Sequence, residues 1–184
     1  MAPPNLIVIT GPVGGDKSTV ALALAERLRR AGRRAAVIDL DLVYCMARQG
    51  EDNGEEETWA IARRGAAALA DAFFAGGMGA VVIEGEFFTP EEFATLREAL
   101  ATPATWTFAT LDVSYERALA HVAGDSTRGM SRDPDFLKHL HEQFRQALPY
   151  LRASSLILDA DSRTPGELAA EVHVAMPTQR SHAG

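Results

Sequence analysis

Short apolar runs and longer amphipathic stretches alternate along the whole chain. Asn5-Leu-Ile-Val-Ile-Thr10 is apolar throughout its middle and reads as a strand buried on both faces. Lys17 to Ala31 places Val20, Leu24 and Leu28 on one helical face and is stopped by Gly32. A second strand pattern, Arg33-Arg-Ala-Ala-Val-Ile-Asp-Leu-Asp41, ends in two aspartates, and Thr58 to Gly76 follows as an alanine-rich helix carrying Trp59, Ile61, Leu69, Phe73 and Phe74. Gly79-Ala-Val-Val-Ile-Glu84 is the third strand. Thr89-Pro-Glu-Glu92 is a capping box with proline in the first turn, opening a helix to about Leu100. Thr105 to Leu111 is rich in β-formers and makes the fourth strand. Helices are then expected over Ser114 to Ala123 and over Pro134 to Leu148, the second capped by Asp133 and stopped by Pro149. Ser155 to Leu158 is the fifth strand, and Thr164-Pro-Gly-Glu167 caps a last helix ending near Met176.

Strands that alternate with helices imply a mainly parallel sheet covered on both faces. Neither an internal repeat nor a linker divides the chain, so residues 1–176 are expected to form one domain, with 177–184 a disordered tail. Gly50 to Glu57 reads as an acidic solvated loop, and Gly124 to Arg132 as a mobile polar loop. In such sheets ligands gather beyond the carboxyl ends of the strands. That rule selects the turn after Thr10, the pair Asp39 and Asp41, the pair Glu84 and Glu86, and the loop after Leu158.

Charge and cysteine content narrow the class of partner. A net charge of −7 without a basic run argues against nucleic acid or an anionic membrane as primary partner. Cys45 is the one cysteine, which fits a reducing compartment. The apolar run after Met-Ala-Pro-Pro is too short for a signal peptide and no stretch reaches the ~20 apolar residues of a membrane span, so a cytoplasmic location is expected.

The turn after the first strand carries the chemistry. Gly11-Pro-Val-Gly-Gly-Asp-Lys-Ser18 follows the pattern G-x-x-x-x-G-K-[ST], the phosphate-binding loop, except that Asp16 stands where the second glycine belongs. Strand, glycine-rich turn and helix amino terminus together aim backbone N–H groups and the helix dipole at phosphates. Residues Gly11, Pro12, Val13, Gly14, Gly15, Asp16, Lys17, Ser18 and Thr19 are thus the expected nucleotide cradle, with Lys17 reaching the β- and γ-phosphates and the Ser18 hydroxyl on Mg²⁺. The glycine at position 16 would have positive φ, which Asp tolerates better than most residues, so the turn is expected to survive. The charge is the larger obstacle. A carboxylate ~5 Å from a phosphate charge at an effective dielectric near ~20 costs on the order of 3 kcal/mol, or about 100-fold in nucleotide affinity. An engineered inactivating change, a degenerate natural loop and a natural loop that tolerates Asp are all compatible with the sequence.

With these residues in place the chain resembles the small-molecule P-loop kinases of the nucleoside-monophosphate-kinase-like group. The loop, the following Ala-Leu-Ala-Glu-Arg-Leu and Val-Ile-Asp-Leu-Asp are similar to the first half of adenylylsulfate kinases. Asp-x-Asp at the end of the second strand also resembles shikimate kinases, and chloramphenicol phosphotransferase is a further likeness. The resemblance covers nearly the whole chain in element order and about a third of it at motif level. It implies a three-layer α/β sandwich, a P-loop NTPase fold with a five-stranded parallel sheet of order 2-3-1-4-5 and a short lid at about 124–133. It further implies ATP and Mg²⁺ as cofactors and phosphoryl transfer to a hydroxyl of a small molecule.

In that scheme Asp41 orients the acceptor hydroxyl or takes its proton, and Asp39 lies nearer Mg²⁺ through water. Glu84 stands where a Walker B acid often stands, with Glu86 as a second candidate for holding a metal-bound water or a substrate hydroxyl. Arg128 and Arg132 in the lid would clamp the transferring phosphoryl group. The loop Asp159 to Arg163 would meet the adenine base through its backbone. His121, His139 and His141 lack metal-ligand spacing and are expected to be structural or solvated. Cys45 and Met46 are expected to pack internally, the alternative being the wall of the acceptor pocket. Asp-Leu-Asp is not the Asp-Gly-Asp of adenylylsulfate kinases, and the third strand lacks the Gly-Gly-Gly of shikimate kinases, so an antibiotic, a sugar or another small metabolite is the expected acceptor. The competing expectation is a non-catalytic nucleotide-binding or interaction protein with a degenerate loop.

Overall fold

A computed structural model of the chain describes residues 3–48, 50, 55–123 and 133–177. Its elements run β1 (Asn5–Thr10), α1 (Lys17–Arg30), β2 (Ala35–Asp39), α2 (Leu40–Ala47), α3 (Glu56–Ala75), β3 (Ala80–Glu84), α4 (Pro90–Ala99), β4 (Thr105–Asp112), α5 (Tyr115–Ala123), α6 (Pro134–Ser154), β5 (Leu156–Asp159) and α7 (Pro165–Ala175). All strand pairs are parallel and the sheet order is β2-β3-β1-β4-β5.

The uninterrupted apolar character of β1 follows from its central place. Ile7 and Ile9 enter a core with Val20, Leu24 and Leu28 of α1 and Leu168 and Val172 of α7, whereas Leu6 and Val8 face the opposite core of α2, α3, α4 and α6. Two-residue alternation in one strand therefore anchors both helical layers. The register sets Ile9 beside Glu84, and Asp39 beside Glu84, so β1, β3 and β2 end nearly level. Both capping boxes form as the sequence predicts, at Thr89 with Glu92 and at Thr164 with Glu167.

Three expectations require correction. Strand β2 stops at Asp39, not Asp41, because the Asp39 carboxylate accepts a hydrogen bond from the Leu42 N–H at 3.2 Å and caps a helix that begins at Leu40. Asp41 therefore lies in the first turn of α2. Helix α6 passes through Pro149 to Ser154. An internal proline costs about 3 kcal/mol. Burial of Leu148 and Leu151 offsets this, and the Ser155 N–H closes the final turn on the Leu151 carbonyl. Cys45 is exposed and Met46 is 80% exposed, so neither packs internally. The segments 51–54, 124–132 and 178–184, which include half of the acidic loop and nearly all of the lid and the tail, lie outside the described residues. Among the described residues no helix is long and apolar enough to cross a membrane.

Gly85, just past β3, sits under Leu40 with no space for a side chain. A Cβ there would lie 2.6 Å from the Leu40 Cβ. Leu40 is fully buried and cannot swing away. Gly85→Ala should therefore destabilise the fold by about 1–3 kcal/mol, as overpacking does. A thermal melt should show Tm falling by about 2–4 °C for each kcal/mol, and an unchanged Tm would mean that the β3–α2 junction yields freely.

Candidate active site

The turn after β1 has the backbone of an anion cradle. Gly14 has φ 79°, and a Cβ on it would lie 2.7 Å from the Ala118 carbonyl of α5. A Cβ on Gly11 would lie 2.8 Å from the Leu111 carbonyl of β4. Both glycines are needed because the turn is pressed against β4 and α5 without room for side chains. Asp16 adopts φ 61°, ψ 21°, and is the sole non-glycine residue with positive φ among the described residues. The glycine conformation thus survives the substitution, as expected. The helix α1 begins at Lys17, directly behind it.

Lys17 is folded over the turn. Its Nζ donates to the Gly11 and Pro12 carbonyls at 3.1 Å each and stands 3.7 Å from Glu86 Oε1. Thr10 holds Glu86 in place from the other direction. Its hydroxyl donates to the Phe87 carbonyl at 3.2 Å while accepting from the Phe87 N–H at 2.9 Å, and the Gly85 N–H donates to the Ile9 carbonyl. Deeper support comes from Arg63, 3% exposed, which pairs with Glu56 and Glu92 at 2.6 Å each and lies over the Phe87 ring. Glu92 in turn accepts from the Phe88 and Thr89 N–H groups.

Four carboxylates share the rim with Lys17. Glu84 is buried, 4% exposed, at the end of β3. Burial pushes its carboxyl up from 4.5 to about 7, and repulsion from Asp39 and Asp41 adds to this, while Lys17 and a hydrogen bond with Ser18 act in the opposite sense. Glu86 is likewise raised, chiefly by burial and then by the Asp41 and Glu92 charges, with Lys17 opposing. Its side chain keeps 28% of its surface open. The fold therefore brings together the predicted loop Gly11–Thr19 with Asp39, Asp41, Glu84 and Glu86. Arg128 and Arg132 lie outside the described residues. The loop after β5 has a use the sequence does not announce: Asp161 accepts from the Ser114 N–H at 2.9 Å and its hydroxyl at 3.1 Å, fixing the start of α5.

His121, expected to be structural or solvated, makes contacts that the sequence does not announce. From α5 its Nε2 lies 3.1 Å from Asp16 Oδ1 and its Nδ1 lies 3.1 Å from the Gly14 carbonyl. The available signal was indirect: an acid in a glycine's place calls for a partner. His141 does serve structurally, its Nε2 lying 2.9 Å from the Val113 carbonyl.

This architecture is the P-loop kinase fold. A shikimate kinase from Acinetobacter baumannii, in complex with shikimate, superposes with a TM-score of 0.65 at 17% identity, covering 95% of this chain and 93% of that one. A gluconokinase from Sinorhizobium meliloti matches with a TM-score of 0.61 at 19% identity over 94% and 91% of the two chains. An APS kinase from Mycobacterium tuberculosis, in complex with AMPPNP and APS, matches at 0.60 and 18% identity over 95% and 98%. No protein-family model and no curated protein matches the chain.

The Glu84 environment predicts a pH dependence of stability. Its folded pKa is raised above the ordinary 4.5, so its contribution is fully present below about pH 4.5 and is lost as pH rises through about 7. Over that window the ligand-free chain should lose on the order of 3 kcal/mol relative to Glu84→Gln. Denaturant melts of both proteins at each end of the window check this, and parallel pH dependences would assign the titration elsewhere.

Proposed function

We propose that the protein is an ATP- and Mg²⁺-dependent phosphotransferase acting on a hydroxyl of a small molecule. The observation that carries this reading is the folded-over Lys17 at the mouth of a glycine turn that has no room for side chains, with carboxylates level beside it. Residues Gly11 to Thr19 fit a polyphosphate: Gly14 and Gly11 let the backbone approach, and the N–H groups at the start of α1 face the same rim. Lys17 would exchange its contacts to the Gly11 and Pro12 carbonyls for phosphate oxygens.

Ser18 fits a Mg²⁺ site, with Asp39 and Glu84 nearby to bind its waters. Among the described residues no group of three His, Cys, Asp or Glu forms a complete cage, which suits an ion that keeps waters and takes its remaining ligands from phosphates. When bound, the ion supplies charge neutralisation at the phosphoryl oxygens. Asp41, in the first turn of α2 and near enough to Glu84 and Glu86 for their charges to interact, orients the acceptor hydroxyl and receives its proton as that oxygen bonds to the γ-phosphorus and the bond from this phosphorus to the β–γ bridging oxygen breaks, with ADP leaving. Glu84 and Glu86 position the acceptor's other hydroxyls. Arg128 and Arg132 would add positive charge as the lid closes. A rim bearing Asp39, Asp41, Glu84 and Glu86 favours a neutral or cationic acceptor over an anion.

The second reading, a nucleotide-binding protein without catalysis, is favoured by Asp16 alone. Calorimetric titration of ATP with Mg²⁺ into this chain and into Asp16→Gly tests the common premise: the glycine variant should bind at micromolar strength, and absence of binding there removes both readings. Against a panel of sugars and hydroxylated antibiotics, Asp41→Asn should lower turnover by 10²-fold or more, roughly the contribution of a positioned base, while nucleotide still binds. Arg128→Ala with Arg132→Ala should likewise lower turnover more than affinity. Undiminished turnover in Asp41→Asn would move the acceptor site elsewhere.

A further inference from the structure

The Asp16 side chain does not cap the helix it precedes. Asp at that position ordinarily accepts a hydrogen bond from the N–H groups of the first turn, but here it makes no such bond. Its carboxylate reaches away, to His121 Nε2 at 3.1 Å, and the other imidazole nitrogen meets the Gly14 carbonyl of the same turn at 3.1 Å. Both ring nitrogens thus face oxygen acceptors. A neutral imidazole has one N–H and satisfies one of them; the imidazolium donates to both. The ring therefore stands between the Asp16 carboxylate and a carbonyl of the same turn. Contact between the two elements is close, since Gly14 has no space for a side chain against Ala118 and Val122, which flank His121 on α5.

We propose that His121 is a positioning residue for the nucleotide, matched to Asp16: it neutralises the carboxylate and holds it on the β4–α5 side of the loop. Lys17 reaches to Glu86, behind β3, on the other side. Asp16 and His121 together replace the missing glycine without presenting a net negative charge to the phosphates. On this view the loop is not degenerate. The proposal rests on the nucleotide-binding reading of the loop and adds to it the residue that makes Asp16 compatible with a polyphosphate.

A double-mutant cycle tests it, with calorimetric affinity for ATP and Mg²⁺ as the readout. The four proteins are this chain, Asp16→Gly, His121→Ala and the two changes combined. His121→Gln, which keeps a donor and most of the volume but cannot carry the charge, is a fifth. In the Asp16 background both His121 variants should weaken binding by about tenfold or more, within the usual range of coupling between neighbouring groups. In the Asp16→Gly background His121→Ala should alter affinity by less than about twofold. Equal losses in both backgrounds, or no loss in either, would overturn the pairing while leaving the nucleotide site intact. Binding by none of the five would overturn the pairing together with the reading of the loop. His121 is 40% exposed, so its truncation leaves the core untouched, and thermal melts that stay within a few degrees confirm that affinity reports the site.

Discussion

Three parallel strands that end level with one another are the constraint on which this site depends. Because Ile9 pairs with Glu84 and Glu84 with Asp39, the turn after β1, the acids after β3 and the cap of α2 emerge along one rim. A shift of one residue in either pairing would turn Glu84 into the opposite helical layer, since alternate strand residues face opposite ways. The register is held where the two cores meet β1, and again past the strand ends, where Thr10 both donates to and accepts from Phe87. The Thr10–Phe87 contact is wholly buried, where an exchange of hydrogen bonds counts most.

The rim has an unusual balance of charge. Lys17 stands among acids, and burial leaves Glu84 and Glu86 reluctant to ionise. A phosphate entering beside Lys17 would otherwise meet a surface of its own sign. Raised carboxyl pKa values lower the negative charge that an anion meets, and the pairing proposed for His121 and Asp16 would act in the same direction. Arg63, by contrast, is enclosed by Glu56 and Glu92 and acts through the framework, joining α3 to the start of α4 beneath the Phe87 loop.

Much of the architecture was legible in the sequence because each element carried its own signal. The apolar run of β1, the capping boxes at Thr89 and Thr164, and the glycine turn before Lys17 are local patterns with local causes. The errors came where tertiary contacts overruled such patterns. Asp39 reads as the end of a strand that continues to Asp41 until its carboxylate is seen to cap α2, and Pro149 reads as a stop until the burial of Leu148 and Leu151 is seen to carry α6 past it. Among the site residues, the loop and the strand-end acids follow from motif and topology. His121 does not, because its significance arises from a contact across 105 positions of sequence, and a lone histidine on an amphipathic helix has no distinguishing pattern. Arg63 was hidden for the same reason, as one of two adjacent arginines in an alanine-rich helix.

The seat of Gly14 on α5 has a mechanical consequence. With the Ala118 carbonyl directly beneath it and Val122 alongside, the turn has no slack in that direction, so a tilt or slide of the helix is transmitted to the backbone amides above it without an intermediary. A displacement of α5 would therefore reach the cradle as a change of shape, through rigid contact and not through charge.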